Sequence, residues 1–285
     1  MYKRLIIRAD DVGYTLAFDL GAFKAMDEGI VTSADVMFDS PHTEEALEWL
    51  KERPWLSVGW HRHLWESPVL PREEVPHMID EEGRFPWRHR KAYLMNEVPY
   101  EEAYKEFMAE MERCYRILGR YPDTASANPE KTKNELERAF VDVCKELNIN
   151  MEFWNHVTHY ATDANIRDKN SDITREDYKK FRYDLSKFKD YDPAQILMDH
   201  FIWNNEEDII MGGAHPGYLD EHILAESTCT IHRVRELQAF TSQRMKDFII
   251  ENKIMLISSR DGINGTHEYQ DYLERIGSPL WVGNF

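Results

Sequence analysis

The chain has 285 residues, 42% hydrophobic and 31% charged, which is ordinary for a soluble globular protein and ample to bury a large core. Its 35 basic residues against 52 acidic ones leave a formal charge of −17, a sign that repels phosphate backbones and anionic lipid and argues against nucleic-acid and membrane partners. The three cysteines, Cys114, Cys144 and Cys229, form no CxxC pair, the opening MYKRLIIRAD is too charged for a signal peptide, and no apolar run reaches about 18 residues, so a cytoplasmic protein with free, partly buried thiols is expected.

In chain order, RLIIRAD (4–10) reads as a buried strand that ends in acids. A helix is predicted over 15–29, with Thr15 as N-cap and Gly29 as the C-terminal glycine. IVTSADVMF (30–38) is the next strand, 41–52 a helix, and LSVGWHRHL (56–64) a third strand. The proline-rich stretch that follows is predicted to loop over one face. Helices are expected over 100–118 and 133–149, with strands at 124–128 and 150–154. The polar segment 155–190 reads as a lid or insertion. A helix over 192–207, a strand and tight turn over 208–217, a long helix over 230–252 and a last strand over 253–262 complete the pattern. Strand–helix alternation of this kind predicts an α/β protein: a distorted TIM-like (β/α) barrel with about seven parallel strands. It is expected to form one domain over 1–285, with loop insertions near 65–99 and 155–190.

Parallel α/β folds place their sites at the C-terminal ends of strands. There the sequence puts Asp10-Asp11 after strand one, His61-Arg62-His63 in strand three, His215 in AHPGY, and Ser258-Ser259-Arg260-Asp261 after the last strand. Two adjacent carboxylates repel unless a cation lies between them, so one could hold a divalent ion while the other acts as a base. The competing reading makes one of them a helix cap. His61 and His63 share a strand face, with Arg62 opposite, and imidazole plus carboxylate suits zinc or a similar ion. A hydrogen-bonded core role is the alternative. Pro216 and Gly217 turn the chain after His215 and would expose its imidazole as a general acid. Trp60, Trp65, Trp87, Trp154 and Tyr218 are candidate sugar-stacking faces or core residues.

The segments LIIRADDVGYT, GIVTSADVM, LSVGWHRHL, LPREEVPHMIDEEGRF, AHPGYLD and CTIHRVRELQAFTS, in this order, resemble the YdjC-like carbohydrate deacetylases, the ChbG/HpnK family. The resemblance implies a TIM-like barrel, often a homodimer, and metal-dependent removal of the N-acetyl group from an amino sugar or short oligosaccharide. It implies Asp11 and His61 as ligands of a divalent metal ion, Zn or Mg, with Asp10 as general base and His215 as acid. Arg233 and Glu236 would support the barrel from a helix.

The chain also departs from the family. A D-S-H-x-x-x-H motif usually supplies a third ligand after strand four, and here that position falls on Ser126, Ala127 or Asn128. His63 could substitute, His156 or His159 could reach in from the insertion, or the metal is lost and the chain binds carbohydrate without turnover.

Overall fold

A computed structural model describes residues 2–86, 96–127, 129–130, 132–151, 153, 158–161, 183–203 and 209–285. The strands are β1 (Lys3–Val12), β2 (Ser33–Val36), β3 (Ser57–Trp60), β4 (Thr124–Ala125), β5 (Thr158–Ala161), β6 (Ile209–Ala214) and β7 (Ile254–Leu256). The helices are α1 (Leu16–Asp27), α2 (Thr43–Lys51), α3 (Tyr100–Leu118), α4 (Glu135–Glu146), α5 (Pro193–Trp203), α6 (Glu221–Glu226), α7 (Ile231–Thr241), α8 (Gln243–Glu251), α9 (Ser259–Asn264) and α10 (Glu268–Arg275).

All seven strands pair in parallel, in the order β4-β3-β2-β1-β6-β5, with β7 also on β1. The α/β class and parallel sheet expected from the sequence are therefore present. No ladder joins β4 to β5 among the described residues, and the sheet is an open half-barrel there rather than a closed ring. β1 has two edges and three partners. The Leu5 carbonyl accepts from Ile257 N and the Ile7 carbonyl from Thr32 N. Residues two apart present their carbonyls to the same edge, so β7 and β2 share one edge of β1 end to end while β6 takes the other.

The period of two sorts β1. Leu5, Ile7 and Ala9 join the large outer core under the helices, whereas Ile6 joins Ile209, Met211, Ile257 and Phe153 in a small apolar floor inside the half-barrel. Arg8 and Asp10 continue the Ile6 face above that floor. The interior is kept open by Gly59, where a Cβ would lie 1.9 Å from Asp35 Oδ1. Outside, α4 buries Leu136, Ala139, Phe140 and Val143 at helical spacing, and Trp60 is wholly buried among Phe38, Phe107 and Phe140. Trp60 is thus a core residue and not a sugar face.

Several boundaries differ from the sequence expectation, each for a local reason. α1 starts on the predicted N-cap, with Thr15 Oγ1 accepting from Phe18 N. Gly29 is not a left-handed cap. Its backbone packs so closely on α7 that a Cβ would meet the Phe240 carbonyl oxygen at 2.5 Å. The predicted long helix breaks into α7 and α8 because Ser242 leaves helical geometry to cap Met245 N. The last strand stops at Leu256. Ser258 and Asp261 form a capping box that starts α9, so the Ser258–Asp261 cluster is structural rather than part of a site. Asn150 makes only an isolated bridge to Thr124, and the fifth strand lies at Thr158–Ala161, inside the stretch expected to be an insertion.

Three buried acids fasten the end of β3 and the segment beyond it. Asp39 Oδ2 accepts from Trp65 N and Glu66 N, Glu106 accepts from Val69 N and Leu70 N, and Glu110 accepts from Trp60 Nε1 at 2.8 Å. Burial pushes Asp39 up to about 6, Glu106 up to about 7 and Glu110 well above the carboxylate range. The folded protein therefore holds protons that the unfolded chain releases near pH ~4. Their stability contribution is present below that pH and declines as pH rises through the folded values. A Glu110→Gln variant is expected to match the wild type in urea unfolding at pH 5 and to exceed it at pH 8. Equal midpoints at both pH values would show that Glu110 carries no proton in the folded state.

Candidate metal and acid–base site

Asp10 and Asp11 both reach the mouth because β1 bulges. Between Ala9 and Val12 the register against β2 slips, and Asp11 adopts φ 65, a left-handed value that aspartate tolerates better than most residues. Neither carboxylate caps α1, since Thr15 does, which removes the capping alternative for this pair.

Asp11 is the hub. Its Oδ1 lies 3.0 Å from His61 Nε2, its Oδ2 accepts from Arg233 Nη2 at 2.7 Å, and His215 Nε2 lies 4.0 Å away. Burial alone would raise its pKa, but the Arg233 guanidinium first, then His215 and His61, hold it well below the usual range. His61 follows β3 directly, its backbone N donating to the Val36 carbonyl. Burial works against its charge, yet the Asp11 hydrogen bond leaves its pKa raised.

β3 ends at Trp60, so His63 lies in the irregular segment beyond it rather than in a strand. The two imidazoles still share a side, with ring centres 5.3 Å apart and planes 24° apart. Arg62 points the other way, its guanidinium carbon 4.4 Å from the centre of the Phe140 ring. Burial lowers His63 to about 4, so its ring is neutral, and its Nδ1 is buried with no hydrogen-bond partner.

One ligand atom each from Asp11, His61 and His63 can be chosen so that all lie within 4.8 Å of one another. A carboxylate, two imidazoles and an orphaned imidazole nitrogen fit a divalent transition metal, which takes nitrogen and oxygen donors around one centre. Of the other candidates for a third ligand, Asn128 and His156 lie outside the described residues, as does the side chain of His159. Ser126 is exposed and Ala127 has no donor side chain. Trp87 and Trp154 also lie outside the described residues.

Asp10 adjoins this cluster but has a partner of its own. Arg8 donates to both of its oxygens, from Nε and, at 2.8 Å, from Nη2, and this guanidinium outweighs burial in holding Asp10 ionised. Arg8 also lies 3.4 Å from Asp35, whose pKa burial raises to about 6. Arg8 and Asp35 drew no attention in the sequence. The signal was present in period two, since Arg8, a half-buried charge on the Asp10 face of a strand flanked by buried residues, needs a partner.

His215 follows β6, and its backbone N donates to Glu236 Oε2 at 2.6 Å. Glu236 accepts on its other oxygen from the Tyr191 hydroxyl. Burial opposes the charge of His215, but Cys229 and then Asp11 raise its pKa well above 6.5, so the ring carries a proton to give. α7 thus reaches the mouth twice, through Arg233 to Asp11 and through Glu236 to His215, as the support role for this pair anticipated. Cys114 and Cys144 are buried, Cys229 is half-buried beside His215, and all three are free.

The gathered carboxylates and imidazoles place this chain in the class of parallel α/β proteins whose candidate sites lie at the C-terminal ends of the strands. Residues 4–251 match the model of the YdjC-like protein family, and the chain belongs to that family. A protein of Clostridium beijerinckii named carbohydrate deacetylase is 30% identical over 90% of this chain and 99% of its own length. A carbohydrate deacetylase 2 of Listeria innocua is 28% identical over 90% and 98%. A crystal structure from Enterococcus faecalis V583, of a protein assigned to cellobiose-phosphate cleavage, superposes with a TM-score of 0.67 at 25% identity, covering 92% of this chain and 99% of that one.

Proposed function

We propose that the protein is a metal-dependent hydrolase that removes the N-acetyl group from an amino sugar or short oligosaccharide. The observation that carries this reading is the convergence of Asp11, His61 and His63 donors within 4.8 Å, flanked by Asp10 and His215, in a chain whose relatives are named carbohydrate deacetylases. Two imidazoles beside one carboxylate favour zinc over magnesium, which prefers oxygen. The reading retains a homodimer in the cytoplasm and a barrel-like curvature around the mouth.

When bound, such an ion would polarise the acetyl carbonyl and acidify the attacking water. The chain's own residues do the rest. Asp10, ionised, accepts the water proton. Each of its oxygens has a second lone pair, so the Arg8 fork fixes the carboxylate and leaves it able to accept. His215 enters protonated and gives that proton to the departing amine nitrogen. Glu236 fixes the backbone that carries His215, and Arg233 holds Asp11 charged and oriented.

Zinc-loaded protein is expected to hold one ion per chain and to release acetate from N-acetylglucosamine or its short oligomers, with chelation abolishing release. The second reading, a relative that binds carbohydrate without turnover, draws on the Arg8 fork, which weakens Asp10 as a base. Saturable binding of the same oligomers, unaffected by chelator and without acetate, would decide for it.

A further inference from the structure

The mouth carries polar atoms that the chemistry above does not use. Tyr14 lies in the turn between β1 and α1, and Trp65 lies just past His63. Tyr14 is 3% exposed and Trp65 6%. The Tyr14 hydroxyl and Trp65 Nε1 are both buried; the indole N–H can only donate and is directed at the Tyr14 oxygen, which leaves the Tyr14 O–H without an acceptor among the described residues. The two groups neighbour each other, and the Arg233 guanidinium carbon is 5.7 Å from the Tyr14 ring centre. Arg233 donates from Nε to the Cys229 carbonyl and from Nη2 to Asp11, which leaves its buried Nη1 unpaired. The Trp65 ring lies 5.2 Å from that of His63, which ties this group to the cluster at Asp11.

Buried polar atoms without partners are rare, because leaving them unpaired is unfavourable. Two donors together, the Tyr14 O–H and Arg233 Nη1, beside a candidate active site point to a ligand. Their chemistry says what kind. An indole N–H and a guanidinium can only donate, and burial keeps the Tyr14 hydroxyl protonated and able to donate. A sugar hydroxyl would also need an acceptor for its own proton. A carbonyl or carboxylate oxygen only accepts, and it suits both the Tyr14 O–H and Arg233 Nη1.

We propose that Tyr14, backed by Trp65 and Arg233 Nη1, is a substrate-binding residue that donates a hydrogen bond to the acyl oxygen of the group being removed. This rests on the deacetylase reading and names the part of the substrate that Tyr14 would hold. Negative charge grows on that oxygen during amide hydrolysis, so the bond strengthens toward the transition state.

The test is Tyr14→Phe, which deletes one oxygen and keeps the ring. With the zinc-loaded protein and N-acetylglucosamine oligomers, kcat/KM is expected to fall about 100-fold, the scale for losing one donor to a developing oxyanion. Most of the loss should be in kcat. Thermal melting should stay at or above that of the wild type, because the variant removes an unpaired group. Trp65→Phe should fall in the same direction. Activity of Tyr14→Phe within threefold of wild type overturns the assignment. So does a lower melting temperature with unchanged KM and kcat, the signature of a hydroxyl held by buried water. A wild type that releases no acetate removes the deacetylase reading and this assignment with it, whereas an active wild type matched by Tyr14→Phe removes only the assignment.

Discussion

His63→Ala is expected to lose tightly held zinc and to lower acetate release about 10³-fold, corresponding to about 4 kcal/mol of transition-state stabilisation. Asp11 and His61 alone would leave an ion with two protein donors, and Asp11 already shares one oxygen with Arg233. His63 suits the third place because its ring is neutral, its Nδ1 is unpaired, and it has no proton to release when a metal binds. His77→Ala is the control. That exposed imidazole pairs with Glu102 and should be neutral for both metal content and rate. Metal analysis after dialysis against free zinc, read beside the rate, decides the point. One zinc per chain in the His63 variant would move the third ligand elsewhere, and His156 and His159 are then the residues to replace.

Arg233→Met is expected to lower stability in chelator by about 3–5 kcal/mol, the scale for stripping the partner from a buried charge. Arg233 is 2% exposed and its guanidinium is the leading influence that keeps Asp11 ionised against burial. The same change breaks the tie to the Cys229 carbonyl. Arg233→Lys should recover only part of the loss, since a single ammonium cannot serve both acceptors in the geometry of a fork. Added zinc should restore more stability to the Met variant than to the wild type, because a second cation then compensates Asp11. Urea unfolding with and without zinc measures both effects. An Arg233→Met protein as stable as wild type in chelator would mean that Asp11 is not ionised there.

The gathering of these side chains at one mouth was legible because strand ends are predictable even when strand lengths are not. Asp11, His61, His63 and His215 needed only the rule that parallel sheets gather side chains at their C-terminal ends. His61 and His63 share a side, with Arg62 opposite, although β3 stops at Trp60, so the alternation continues past the strand end. What the sequence hid were the partners. Arg233 lies 222 positions from Asp11, and its role depends on where α7 packs. The bulge that turns Asp10 and Asp11 toward one mouth leaves no mark in composition. Ser258–Asp261 misled in the opposite direction, since a serine and an aspartate three apart can end a strand or start a helix, and only backbone geometry tells which. The fifth strand was missed because Thr158–Ala161 lies in polar sequence with little of the aliphatic signal that marks a buried strand.

β1 borders both the oldest and the youngest parts of the chain as it leaves the ribosome. Its lower edge waits for Ile254–Leu256, and its far edge for Ile209–Ala214. A nascent chain therefore carries a hydrophobic strand with open hydrogen-bonding edges through most of its synthesis. Contacts of such long sequence separation slow folding and expose the chain to mispairing. The site inherits this timing. Asp11 is made among the first residues, yet Arg233, which balances its charge, arrives only after some four-fifths of the chain. Fragments that end before α7 would carry Asp11 without its counter-charge, so the mouth is completed only once α7 has been made, when β7, which follows α7 in the chain, has yet to pair with β1.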